Sequence, residues 1–318
     1  MRVMQAAIVL SLVQRIALPG VEGRIDHLAV DRDRQRLYVA ALGNNTVEVI
    51  DLQAGQRVDG IPRLHEPQGL AVAADLDRVI IANGEGGEVQ MRDTGDPHLA
   101  VTHAVALGDD ADNVRYDAKA GRVYVGYGGG SRSALAAIDP AAGRKLGDAA
   151  LAGHPESFQL ERDGPRIFVN VPTANHIAVI DRAAMKVATT WPVTAAHANF
   201  PMSLDEEGHR LFIGCRRPAK VLIYDTASGQ VIGAMDIVGD TDDLFYDAAR
   251  KRLYVSGGEG FLDVFQQQDV SHFTRVAHIA TAAGARTSLF VPELNRLYLA
   301  VPHRGAQPAE IQVFEMKD

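Results

Sequence analysis

Two short acidic segments carry the residues that could do chemistry. In "GDDADNVRYD" (residues 108–117) and "GDTDDLFYD" (residues 239–247), carboxylates crowd together directly before a strand-like run. Like charges held close together raise one another's pKa and oppose folding unless a cation or an arginine offsets them. Two such similar segments, far apart in the chain, predict that both occupy the same position in copies of one repeated unit.

Cation binding is one chemistry that these segments suit. Ca²⁺ and Mg²⁺ take roughly six or more oxygen ligands, which carboxylate and amide side chains supply. No continuous loop of the EF-hand type is present, so folding would have to assemble such a site from separate units. The cofactor would be Ca²⁺ or Mg²⁺, and its candidate ligands are Asp112, Asn113, Glu156, Asp242 and Asp243.

Two other interpretations use the same residues. In the first, a general acid or base from His27, Glu156 and Asp242 works with a bound cation that polarises a carbonyl. In the second, the carboxylates are structural, and water and arginines offset their charge. The arginines available for this lie in predicted loops: Arg24, Arg216, Arg217, Arg286 and Arg304.

A repeated unit supplies the elements that position these residues. The pattern of an arginine, an apolar residue, Tyr, Phe or Ile, and another apolar residue recurs with a spacing of 42 or 44 residues, beginning at Arg36, Arg78, Arg122, Arg166, Arg210, Arg252 and Arg296. Four short strands and their turns use up one such period. The sequence therefore predicts an all-β fold, a seven-bladed β-propeller of four-stranded blades in a single domain over residues 1–318.

The two ends of the chain complete each other in this arrangement. The last unit supplies three strands and stops after "AEIQVFEMKD", whereas "LVQRIALPG" (residues 12–20) occupies the position of the outer strand in complete units. We expect this N-terminal strand to complete the last blade, which removes the free edge of an open ring.

Counting back from each repeat arginine gives rings of residues around the central channel. The residues ten positions before it are Asp26, Gln68, Asp112, Glu156, Phe200, Asp242 and Arg286, and the next position contributes His27, Asn113, Ser157 and Asp243 among others. These positions begin the innermost strand of each blade, so we expect them at one mouth of the channel. The predicted ligand-binding face comprises Arg24, Asp26, His27, Gln68, Asn113, His154, Arg216, Arg217, Arg286, His303 and Arg304.

Units such as "RLYVAALGNNTVEVIDLQAGQRV" (residues 36–58) resemble the YVTN-type β-propeller repeat proteins of bacteria. The resemblance extends over essentially the whole chain. It implies a propeller fold and a periplasmic or secreted location, with the cytoplasm as the alternative, and it assigns no catalytic residue. Gluconolactonase and regucalcin-like propellers, which take carboxylate and asparagine ligands from different blades, are similar in architecture only.

Composition narrows the functional classes. The formal net charge is -8 and the isoelectric point about 5.8, which argues against binding to a phosphate backbone. A single cysteine, Cys215, excludes an internal disulfide. Residues 1–11 contain a short apolar run that fits either a remnant of an export signal or the lead-in to a strand. We expect a monomer without a membrane span.

These observations favour a non-catalytic binding or scaffold propeller. Its polar, acidic channel mouth would meet a small molecule, a metal ion or a protein partner. The alternative is a metal-dependent hydrolase or lyase, lactonase-like in the placement of its site at the same mouth.

Overall fold

A computed structural model of the chain describes residues 9–129 and 132–317. The strands of this part are β1 (Leu10–Ala17), β2 (Leu28–Asp31), β3 (Arg36–Ala41), β4 (Thr46–Asp51), β5 (Gln56–Ile61), β6 (Pro67–Ala73), β7 (Arg78–Asn83), β8 (Glu88–Asp93), β9 (Val101–Ala106), β10 (Val114–Asp117), β11 (Arg122–Tyr127), β12 (Ala134–Asp139), β13 (Arg144–Ala150), β14 (Phe158–Leu160), β15 (Arg166–Val171), β16 (His176–Asp181), β17 (Lys186–Pro192), β18 (His197–Asp205), β19 (Arg210–Arg217), β20 (Ala219–Asp225), β21 (Val231–Asp236), β22 (Thr241–Asp247), β23 (Arg252–Gly257), β24 (Phe261–Gln267), β25 (Phe273–Ala280), β26 (Ser288–Val291), β27 (Arg296–Val301) and β28 (Glu310–Met316). Short 3-10 turns lie at Leu42–Asn44, Ala74–Leu76, Glu85–Gly87, Pro172–Ala174 and Pro292–Leu294.

The strands form seven four-stranded antiparallel sheets, which are the blades. Blade one is β2 to β5, and each further group of four strands is the next blade, up to blade six at β22 to β25. The innermost strand of blade one, β2, contacts the innermost strands of both blade two and blade seven, β6 and β26, so the blades close into a ring. The predicted seven-bladed β-propeller is confirmed.

The last blade is completed by the N-terminal strand, as predicted. Its order is β26, β27, β28 and β1, and the register runs from Leu10 opposite Met316 to Ala17 opposite Glu310. The strand begins at Leu10, two residues before the predicted start.

The hydrophobic core lies between the blades. Each of seven clusters of buried side chains joins two neighbouring blades, because a twisted sheet that buries both faces must pack against a sheet on either side. Between blades four and five, Trp191 on the outer strand β17 packs against Phe168 and Tyr224, with ring centroids 5.3 and 6.2 Å away. Cys215 is buried in the same cluster.

In five of the seven blades an acidic residue stands five positions before the repeat arginine, and this spacing predicts an ion pair or a hydrogen bond across the turn between the first two strands. Each of the five acids makes such a contact. The predicted pair forms in two blades, between Glu161 and Arg166 and between Asp205 and Arg210. Three other acids pair with a different arginine: Asp31 with Arg34, Asp117 with Arg182, and Asp247 with Arg250. Four of the five acids are aspartates, and these four share one contact. Each accepts a hydrogen bond from the backbone N–H of the third residue after it and so caps the turn between the first two strands: Asp31, Asp117, Asp205 and Asp247.

Candidate functional site: the mouth of the central channel

The ring of residues ten positions before the repeat arginines lines one cavity. Six of its seven members border a space of about 360 Å³, which we call the mouth: Gln68, Asp112, Glu156, Phe200, Asp242 and Arg286. The seventh, Asp26, lies beneath and is 2% exposed. The register of the innermost strand is the same in every blade, so one sequence offset selects one height along the channel.

A second ring forms the outer rim of the mouth; the sequence predicted two of its members for the binding face, Arg24 and His154, and missed Glu66, Asp110 and Asp240. The residues twelve positions before the repeat arginines include Arg24, Glu66, Asp110 and His154, and all four line the cavity. Asp240 holds the same position in blade six. The equal offset of Asp110 and Asp240 was the available signal, because both belong to the two acidic segments.

His27 lies at the neck of the mouth, where three carboxylates surround it. Its Nε2 is 3.7 Å from Asp26 Oδ1 and 3.8 Å from Asp112 Oδ1, and its Nδ1 is 3.8 Å from Asp243 Oδ2. Burial alone would lower the pKa of His27, but Asp243, Asp26 and Asp112 together raise this pKa to about 10. His27 is therefore an imidazolium at neutral pH and supplies the positive charge that this group of carboxylates needs.

Asp112 is held between two imidazole rings. Its Oδ2 lies 3.8 Å from His154 Nε2, and the other nitrogen of His154 lies 2.7 Å from the carbonyl oxygen of Gly128. Burial would raise the pKa of Asp112, yet His154, His27 and Arg24 outweigh it and leave that pKa below its usual value. Burial likewise works to lower the pKa of His154, but contacts with Asp112, Gly128 and Asp110 raise it to about 9. This side of the mouth is a set of mutually compensating charges.

On the opposite side, two arginines bracket Asp242. Arg216 Nη2 donates to Asp242 Oδ1 at 2.5 Å, and Arg286 Nε lies 3.0 Å from Asp242 Oδ2. Asp240 also contacts both arginines, at 3.6 and 3.0 Å. Phe200 covers the Arg216 guanidinium, with 3.7 Å from Cζ to the ring centroid. Arg24 adds a further pair with Asp26 at 2.6 Å.

Glu156 differs from the other partly or fully buried charged residues of the mouth, whereas Glu66 on the rim is exposed to solvent. Among the residues that the structure describes, its carboxyl group makes no hydrogen bond or ion pair with a side chain, while its backbone N–H donates to Asn170 O at 3.0 Å. Burial first, and then the negative charges of Asp112 and Asp242, raise the pKa of Glu156 to about 8. At neutral pH it is mostly a neutral carboxylic acid that faces the cavity.

The remaining predicted residues lie near the mouth but outside its lining. His303 and Arg304 line an adjacent cavity of about 260 Å³, which Arg24 and Arg286 also border. His303 Nδ1 is 2.7 Å from Glu22 Oε2, and Arg217 is exposed at the end of β19. Asn113 is 2% exposed below the mouth.

The predicted metal ligands are brought together only in part. Asp112, Glu156 and Asp242 line the mouth, and Asp243 and Asn113 lie one position deeper. Within residues 9–129 and 132–317, no group of three or more His, Cys, Asp or Glu side chains is arranged to hold a metal ion. Over the same ranges, no helix has the length and apolar character needed to cross a membrane.

Comparison with known proteins defines the class. No family model matches the chain, and no curated protein matches it in sequence. Among solved structures, it is similar to hydrazine synthase of Kuenenia stuttgartiensis, with a TM-score of 0.75 and 16% identity over 88% of this chain and 94% of that one. It is also similar to a chain of the mitotic checkpoint complex, with a TM-score of 0.80 and 13% identity over 97% of this chain and 92% of that one.

The chain is a seven-bladed β-propeller by its own strand order and by these neighbours. At such identities the likeness concerns the fold alone. The YVTN-type assignment stays a resemblance of sequence repeats.

Proposed function

We propose that this protein is a non-catalytic binding propeller that takes a small polar molecule at the mouth of its channel. One observation carries the proposal: the buried charges of the mouth are paired with one another, whereas Glu156 keeps a neutral carboxyl group that no described side chain engages. A neutral carboxyl group both donates and accepts a hydrogen bond. The ligand that suits it carries hydroxyl or amide groups.

The dimensions and rigidity of the mouth support the same proposal. A space of about 360 Å³ lies within the range of small-molecule pockets. The ion pairs around Asp112 and Asp242 fix their side chains before a ligand arrives, so less ordering remains to be done on binding. The resemblance to YVTN-type repeats adds an extracytoplasmic location to the proposal, and we propose separately that the protein is a monomer.

Replacing Glu156 by leucine tests this proposal. A thermal-shift panel of monosaccharides, polyols and free amino acids should contain at least one compound that raises the Tm of the wild-type protein. We expect Glu156→Leu to weaken binding of that compound by about fivefold to tenfold, measured by titration calorimetry, since one hydrogen bond is lost. The ligand-free variant should be as stable as wild type or more stable, because no partner side chain is left unpaired.

Arg144→Gln is the matched surface control, because Arg144 is 65% exposed on an outer strand. This variant should bind the compound like wild type. A panel without any binder, or a binder whose affinity Glu156→Leu does not change, would contradict the proposed site.

The second candidate function is a metal-dependent hydrolase or lyase at the same mouth, and a specific observation favours it. Asp112 Oδ1 and Asn113 Oδ1 are buried oxygens without a hydrogen-bond partner in the described part of the chain. Carboxylate and amide oxygens of this kind suit a hard cation. Against it stand the imidazolium of His27 and the guanidinium groups of Arg216 and Arg286, which occupy the same space with positive charge.

A metal titration separates the two functions. For the binding propeller, Ca²⁺ and Mg²⁺ should leave the Tm of the EDTA-treated protein unchanged, because protein cations already offset the carboxylates. For the hydrolase, either ion should raise the Tm by mass action, and Asp112→Asn should abolish the rise. Esterase or lactonase activity that EDTA removes would favour the hydrolase over the binding protein.

A further inference from the structure

A third ring lies deeper in the channel, seven positions before the repeat arginines. All seven of its members line one cavity of about 430 Å³: Ala29, Ala71, Arg115, Gln159, Ser203, Phe245 and Leu289. None of the residues that line this cavity lines the mouth. The channel below His27 is therefore a compartment of its own.

The polar and apolar members of this ring are segregated. Arg115, Gln159 and Ser203 come from the consecutive blades three, four and five. The other four members come from blades six, seven, one and two and are apolar: Phe245, Leu289, Ala29 and Ala71. At the height of this ring, one side of the compartment therefore offers hydrogen-bonding groups and the other side offers hydrocarbon. His27, Asp243 and Ser288, one or two positions higher on the apolar side, also border the cavity, and there Asp243 is engaged by His27 and by the backbone N–H of Ser288.

Arg115 is a partly buried cation without an ion-pair partner among the described residues. Its Nη1 donates to Val114 O at 2.8 Å, its Nη2 lies 3.5 Å from Ser157 Oγ, and the guanidinium lies over the Phe158 ring at 5.4 Å. Asp243 and Asp112 act on it only at longer range, and burial lowers the pKa of Arg115. A guanidinium has five N–H donors, so most of its donors remain free. A cation in this state gains strongly from an anion brought to it.

Ser203 and Gln159 can add to such an interaction. Ser203 Oγ accepts the backbone N–H of Tyr246 at 3.1 Å, which leaves its own proton free to donate. Gln159 Nε2 donates to Met202 O at 3.1 Å and keeps a second N–H.

We propose that the channel compartment binds a small amphipathic carboxylate. The carboxylate pairs with Arg115, which suits the bidentate geometry of the guanidinium, and its hydrocarbon part packs on the wall formed by Phe245, Leu289, Ala29 and Ala71. This site is independent of the ligand proposed for the mouth.

Short-chain fatty acids test the proposal. Sodium butyrate should raise the Tm of the wild-type protein above that in sodium chloride of equal concentration, and butylammonium chloride should not. Titration calorimetry should give an affinity that increases from acetate to butyrate, since each added methylene buries apolar surface. Arg115→Gln should weaken butyrate binding by about 10- to 100-fold, the loss expected for a charge-assisted contact.

Two further measurements keep the outcome decisive. Without butyrate, Arg115→Gln should be at least as stable as wild type, because it removes a partly buried charge that has no ion-pair partner. Glu156→Leu should bind butyrate like wild type, so failure of the mouth proposal and failure of this one are distinguishable. Equal affinity for acetate and butyrate, no response to butyrate, or unchanged butyrate affinity in Arg115→Gln would each overturn the channel site.

Discussion

Replacing His27 by glutamine is expected to lower the free energy of unfolding by about 3–5 kcal/mol at neutral pH, as for other buried ion pairs that lose one partner. The side chain is 17% exposed, and it is the only described cation that contacts Asp26, Asp112 and Asp243 together. Glutamine fills similar space without the charge, so three neighbouring carboxylates would repel one another. Urea denaturation, with the midpoint and slope fitted together, measures the loss.

The loss should depend on pH in a defined direction. The pKa of His27 is raised from 6.5 to about 10 in the folded protein, so the stabilisation is fully present below pH 6.5 and disappears as the pH rises through 10. The difference between wild type and His27→Gln should therefore be large at about pH 6 and small at about pH 10.5.

His303→Gln is the matched control. His303 contacts a single carboxylate, Glu22, and the two side chains are 35% and 65% exposed. Exposed pairs contribute roughly 0–1 kcal/mol, so this variant should differ little from wild type. If both histidine variants lost the same stability, or if the effect of His27→Gln grew with pH, the stabilising role assigned to the charge of His27 would be contradicted.

The position of each channel residue along the channel axis was predictable from sequence, because every blade of a propeller uses the same strand register. The spacing of the repeat arginines placed Asp112 and Asp242 in the same ring, and six of the seven members of that ring line the mouth. The same count, applied at twelve and seven positions, leads to Asp110, Asp240 and Arg115. The two acidic segments point to the positions ten and nine residues before the repeat arginine, and neither position contains these residues.

The repeat spacing could not predict which charged side chains pair with one another. The sequence offered arginines as counter-ions, but at the neck the imidazole of His27 takes this role. Likewise, the sequence predicted a contact across the turn for Asp117, which its hydrogen bond with Ala120 N–H supplies, but not the ion pair of Asp117 with Arg182 of the next blade. Repeat spacing predicts the height of a residue, but contacts between blades depend on side-chain conformations that no repeat encodes.

Deleting residues 1–19 is expected to abolish soluble, cooperative folding. The deletion removes β1, and β28 then becomes a free strand edge with unpaired N–H and C=O groups. It also removes the buried side chains of Leu10 and Ile16 from the cores on either side of the last blade. We expect aggregation in size-exclusion chromatography and no sharp thermal transition.

A synthetic peptide of residues 9–19 should reverse this loss when it is present during refolding, because it supplies the same edge pairing and the same buried side chains. A control peptide with Leu10→Asp and Ile16→Asp keeps the backbone donors and acceptors but places two carboxylates in the cores, so it should not rescue folding. The pair of peptides separates edge pairing from core packing. A truncated protein that stays monomeric and melts cooperatively without any peptide would show that the ring does not depend on its N-terminal strand.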